Sequence, residues 1–235
     1  ADNWVSFAGF YWRIIRINGD GSIRLIYSGT KSSHTGNGTE IGRSIYNQNH
    51  DHERYASYKT STVKKIVDNW YKTNILDKGY DNKIADTGYC NDMSKKSTSD
   101  FGSRNRLNTN KTPTLKCPNK DVDLLSRGNS KLTYPVALLT HDEASFAGSI
   151  YYIHDIHRNS SNKSFYLYTG TYYWTMTPAY WTGTDVCLGA VRFDGYLDEY
   201  AYVHGDYIVR PVLSLNSDIT IKSGDGTEVR PYIVE

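Results

Sequence analysis

The chain has 235 residues, a net charge of +2 and no basic stripe or run, which removes the electrostatic footprint of a nucleic-acid binder. No apolar run approaches the roughly 18 residues of a membrane span, so direct membrane insertion is not expected. Aromatics make up 14% of the chain and tyrosine alone counts 21, enough for a real core with tyrosines over its rim.

Ala1 opens directly into strand-like sequence with no signal peptide, so an excised domain or processed chain is expected. Residues 4–29 predict a hairpin. Phe10–Ile17 and Ser22–Tyr27 are rich in β-branched and aromatic residues, and Asn18-Gly19-Asp20-Gly21 between them suits a tight turn. Residues 28–60 are polar, with few apolar anchors, and read as a long surface excursion. Within them His50-Asp51-His52 is a weak metal pair without a further ligand at a recognisable spacing. Residues 61–77 predict a helix: Ser61 caps, and Val63, Ile66, Val67, Trp70 and Tyr71 form one apolar face.

Residues 78–133 read as a second long excursion, in which Lys95, Lys96, Arg104 and Arg106 are expected to be solvated. It holds Cys90 and Cys117, while Cys187 lies far downstream. Two readings stand: a Cys90–Cys117 bridge in an exported protein, or three free thiols in a cytosolic one. The Asn-, Ser-, Thr- and Tyr-rich surface favours the bridge. Tyr134–Leu139 predicts a short buried strand. Thr140-His141-Asp142-Glu143 then matches a capping box opening a second helix, which accounts for Asp142 and Glu143 without catalysis. Short strands are expected at Phe165–Tyr168, Tyr172–Met176, Asp185–Phe193 and Val209–Leu215, and a last one near Pro231–Val234. The whole reads as a single α+β domain over residues 1–235: two helices, small antiparallel sheets, and loop insertions at about 28–60 and 78–133.

Tyr172–Leu215 organises the chain. Val186, Leu188, Val191, Leu197 and Val203 read as buried positions. Around them lie Tyr180, Trp181, Asp185, Cys187, Arg192, Phe193, Asp194, Tyr196, Asp198, Glu199, Tyr200, Tyr202, His204, Asp206 and Tyr207. Tyrosine mixed with Asp, Gly and some Arg is what recognition surfaces use, because Tyr offers large, stiff, hydrogen-bonding contact area. A tyrosine-rich hairpin packed on itself is the alternative.

Four phrases resemble a group of surface proteins of gut Firmicutes, some with a prepilin-type leader. They are Phe7–Ser22, Leu138–Ala144, Tyr173–Pro178 and Val209–Val212. The second half also resembles the C-type lectin fold of the formylglycine-generating-enzyme type, although the central Pro of its helix-start motif is missing here. That branch includes the variable proteins of diversity-generating retroelements, in which adenines of Asn codons are scrambled. Randomising the first two bases of an Asn codon cannot give Lys, Gln, Glu, Met or Trp. Residues 179–207 contain no Lys, Gln, Met or Asn, and only Trp181 and Glu199 fall outside the reachable set.

The resemblance implies a non-enzymatic binding or adhesion domain with a diversified face at residues 179–207. It would sit at a bacterial cell surface or be phage-encoded, with a protein or surface glycan as ligand and a homo-oligomer or filament as context. A pilin-like structural subunit and a formylglycine-generating-type enzyme are the alternatives. The enzyme needs a reactive cysteine pair, and Cys187 stands alone in that half. No cofactor or metal is expected, and the motifs of calcium-dependent sugar lectins are missing.

Overall fold

In the computed structural model, which describes residues 2–235, the first hairpin forms as its turn chemistry dictates. The Asn18 N–H bonds the Ser22 carbonyl at 2.8 Å, and Gly21 takes the positive φ (+83°) the turn requires.

The elements, in chain order, begin with β1 (Trp4–Phe7), β2 (Phe10–Ile17), β3 (Ile23–Tyr27), β4 (Arg43–Ile45), α1 (Thr62–Tyr71) and β5 (Tyr89–Cys90). Next come α2 (Gly102–Arg104), α3 (Lys120–Asp123), β6 (Leu124–Leu125), α4 (His141–Phe146) and α5 (His154–His157). The C-terminal third holds β7 (Tyr173–Trp181), β8 (Val186–Val191), β9 (Leu197–Tyr202), β10 (Asp206–Ile208), β11 (Val212–Leu215), β12 (Ile221–Ser223) and β13 (Tyr232–Val234). The fold is mixed α+β, with many strands and few helices.

The strands make a six-stranded sheet ordered β11-β3-β2-β1-β13-β12 and a five-stranded sheet ordered β4-β10-β7-β8-β9, with β5 and β6 paired apart. Neither large sheet is purely antiparallel: β1 runs parallel to β13, and β10 parallel to β7. The chain passes from one sheet to the other through Val209-Arg210-Pro211. Arg210 is fully buried there. Its guanidinium donates to the Tyr27 carbonyl (3.0 Å) and the Leu167 carbonyl (3.1 Å) and lies 4.8 Å from the Tyr173 ring.

Both expected helices are present. Ser61 caps α1 by accepting from the Lys64 N–H, and Trp70 packs edge-on to Trp12 and Tyr27 and tilted against Phe10, at 5.3–6.0 Å between ring centres. The Thr140–Glu143 capping box closes at both ends. Glu143 does more than cap: buried, it also accepts from Arg24 (2.7 Å) and Arg16 (3.2 Å). Burial alone would raise its carboxyl, but those two guanidinium groups and Thr140 hold it below the ordinary value of 4.5.

Several expected strands differ. Phe165–Tyr168 is a turn, with the Tyr168 N–H bonded to the Phe165 carbonyl at 2.9 Å. Tyr134–Leu139 is buried from Pro135 onward, as expected, but joins the six-stranded sheet through Ala137 and Val212 alone, because Pro135 offers no donor. β4, β5, β6, β9, β10 and β12 are additional to the expected strands. The excursions are also better anchored than their polarity suggests. Tyr46, Ala56 and Tyr58 are fully buried in the first, and Tyr89, Phe101, Leu107 and Leu125 are buried in the second. Cys90 and Cys117 are bridged, pinning the second excursion, and Cys187 is free. No helix among the described residues is long and apolar enough to cross a membrane.

Candidate functional site

β7, β8 and β9 form an antiparallel meander. Val186, Leu188, Val191, Leu197 and Val203 are all fully buried. β9 lies at the sheet edge, and the chain there alternates. Leu197, Glu199, Ala201 and Val203 face inward, whereas Asp198, Tyr200, Tyr202 and His204 are turned outward to differing degrees. Tyr180, Cys187 and Tyr202 form one row across three strands, so they share the outer face.

On that face the aromatics gather in three knots. Tyr180 and Tyr200 meet at 5.1 Å under the Arg104 guanidinium, which lies 4.7 Å from the first ring and donates to the Tyr200 hydroxyl at 2.9 Å. Tyr202 stacks on His204 (5.5 Å), whose ring meets His50 at 5.0 Å. Tyr207 stacks on Tyr172 (4.9 Å), and Tyr172 meets Phe193 at 5.6 Å, with Arg192 5.4 Å from the Phe193 ring.

Of the fifteen residues expected on this surface, most do lie on it or at its rim. Phe193, Tyr200 and Tyr202 are 43–51% exposed, His204 and Asp206 are exposed, and Tyr180, Trp181, Asp185, Arg192, Asp198 and Tyr207 are half-buried. Four are buried, contrary to expectation. Cys187 is fully covered within its row. Asp194 turns in to hold Arg192 at 3.0 Å. Tyr196 stacks on His157 at 4.3 Å and shares a hydrogen bond with Ser160. Glu199 accepts from Arg104 (2.9 Å) and Asn108 (3.0 Å).

The electrostatics follow from the packing. Burial pushes the Cys187 thiol up to about 12, with Asp185 and Asp198 adding to it, so thiolate chemistry is suppressed. Burial also raises the Asp198 carboxyl, against the Tyr200 N–H and Arg192. Thr184 donates to Asp185 and is the main reason its carboxyl sits below the ordinary value.

Sequence reasoning missed Arg104, Tyr172 and His50 as parts of this face. Arg104 was expected to be solvated, yet it pairs with Asp100 and Glu199. The segment carrying it docks beside β7: the Phe101 N–H bonds the Ala179 carbonyl (3.1 Å), and the Trp181 N–H bonds the Ser99 carbonyl (2.7 Å). Arg106, also expected to be solvated, pairs with Asp142 at 2.6 Å and Asp92 at 3.0 Å. A polar cleft of about 190 Å³ lies there, between α4 and the disulfide. Its guanidinium groups Arg16, Arg24 and Arg106 are already paired with Glu143, Asp142 and Asp92, and Lys116 and Lys120 also line it.

Compared with known proteins, the chain matches no family model, no curated protein and no solved structure.

Proposed function

We propose that the chain is a non-enzymatic ligand-binding or adhesion domain, C-type-lectin-like in architecture, displayed outside a bacterial cell or phage-encoded. The outer face of its five-stranded sheet would be diversified by a retroelement to bind protein or glycan targets. The observation that carries this reading is the alternation along β9, which separates a buried apolar set from exposed Tyr200, Tyr202 and His204. Glu199, which no scrambled Asn codon can encode, turns inward and is held by Arg104 and Asn108, as a framework residue should be. Trp181, the other unreachable residue, is half-buried and tied to Ser99. The covered Cys187 thiol supports a role without chemistry. The Cys90–Cys117 bridge is compatible with an extracellular setting.

Sequencing sibling copies of this locus tests the reading. Substitutions are expected to concentrate at outward codons such as those of Tyr180, Phe193, Tyr200, Tyr202 and His204. Leu188, Leu197, Glu199 and Val203 should stay fixed. Substitutions spread evenly along the chain would remove the basis for diversification.

A second reading, a subunit of a surface assembly, draws on a different observation. Phe146, Ile150, Ile153 and Ile156 are 41–68% exposed within one short stretch, and lone domains seldom leave so much apolar side chain together in water.

A further inference from the structure

We propose that His50, Asp185 and His204 form a binding site for a divalent transition-metal ion of the imidazole-preferring class, Zn²⁺ first. One ligand atom from each of the three lies within 4.8 Å of the other two. His50 Nδ1 is 2.7 Å from Asp185 Oδ1, and His204 Nδ1 is 3.9 Å from the same oxygen. Ligands at Zn²⁺ bond lengths of about 2.0–2.2 Å stand roughly 3.3 Å apart in a tetrahedron, so these two separations bracket the value required. The three ligand atoms, now within 4.8 Å of one another, need to draw together by about 1.5 Å at most to close around one ion.

The backbone holds the three positions in place. The Val186 N–H, adjacent to Asp185, donates to the His50 carbonyl at 3.0 Å. The Val203 N–H, adjacent to His204, donates to the Val186 carbonyl at 3.3 Å, and the Asn47 N–H donates to the Val203 carbonyl at 2.9 Å. The carboxylate is oriented as well: Thr184 donates to Asp185 Oδ2 at 2.8 Å, which leaves Oδ1 facing both imidazoles. An outer partner of this kind is what fixes a ligating carboxylate in a metal site. His52, the other half of the pair noticed in the sequence, takes no part. Its Nδ1 accepts from the Arg54 N–H at 3.1 Å.

Two imidazoles and one carboxylate suit Zn²⁺, Ni²⁺ or Cu²⁺, not Ca²⁺ or Mg²⁺, which take oxygen ligands. Three protein ligands leave a fourth position open, and the side chains are accessible enough (46%, 23% and 50%) for water or a partner's donor atom to fill it. The site borders the aromatic face through the Tyr202–His204 stack, so an ion here would add a directional contact to that surface. The proposal rests on the geometry of these three residues and stands whether or not the face is diversified.

Titration of the full chain with ZnCl₂ by isothermal calorimetry tests it. One equivalent is expected to bind with low-micromolar affinity or better and to raise the melting temperature, while CaCl₂ does neither. His50→Ala and His204→Ala should each weaken binding by about tenfold or more, and Thr184→Ala by about tenfold, whereas His52→Ala leaves it unchanged. Co²⁺ added to the unsubstituted chain should give the visible bands of a low-coordinate site, a readout independent of any variant's folding. Absence of Zn²⁺ binding, binding that survives in the His50→Ala/His204→Ala double variant, or a Co²⁺ spectrum of the hydrated ion would overturn the assignment.

Discussion

His141 opens α4 with its ring fully buried, bonded through Nδ1 to the Tyr151 hydroxyl at 3.0 Å and pressed against Gly189. A Cβ at Gly189 would lie 2.1 Å from the ring, so the strand must be bare at that point. Burial lowers the His141 pKa from 6.5 to about 3, with the nearby Arg106 adding to the shift and the Ala190 backbone opposing it. The folded state therefore keeps this ring neutral, while the unfolded chain takes up a proton near the ordinary value. The stability this supplies is complete above 6.5 and is lost progressively as the pH falls from 6.5 toward 3. Between pH 7 and pH 5 the loss should be on the order of 2 kcal/mol, read from urea unfolding at both values. His141→Gln should flatten that dependence, whatever its effect at pH 7. An equal loss in both proteins would show that the buried ring is not its source. The capping box around this residue was legible because Thr140 and Glu143 are three apart. The Arg16 and Arg24 partners of Glu143 were not, because they come from a distant hairpin.

At the scale of elements, the second excursion is where local sequence says least and tertiary structure says most. It is polar and lacks periodicity, yet Phe101 and Leu107 are buried and Arg104 reaches the outer face of the β7–β8–β9 sheet. The Cys90–Cys117 bridge closes 27 residues of separation across it. Loop-closure entropy for that length is about 3–4 kcal/mol, so Cys90→Ser/Cys117→Ser should lower the melting temperature by about 10 °C. An unchanged melting temperature would mean that docking of Phe101 and its neighbours holds the segment without the bridge. The hairpin, α1 and the helix at Thr140 were legible because turn residues, caps and a 3.6-residue apolar period are local signals. β9 was not, because Asp198, Glu199 and Tyr200 obscure its two-residue period, and its acidic inner residue is intelligible only beside Arg104. β10 was not, because it is three residues long and defined by partners in β4 and β7.

For the molecule as a whole, one continuous core spans both large sheets, with the first and last strands side by side and Arg210 fastening the crossing between sheets. Tyr172, Trp181 and Tyr207 pack against this core, whereas Tyr200, Tyr202 and His204 lie outside it, so the frame should tolerate replacement of those three. The inward set of β9 is a different matter: Leu197 is fully buried, and its truncation to Ala should cost about 2–5 kcal/mol. Thermal unfolding of Tyr200→Ser/Tyr202→Ser/His204→Ser beside Leu197→Ala measures that contrast most directly. The triple variant should melt within about 5 °C of the parent, and Leu197→Ala about 5–15 °C below it. A triple variant that melts below Leu197→Ala, or fails to fold, would mean that the outward side chains hold the sheet together and that the face is not interchangeable.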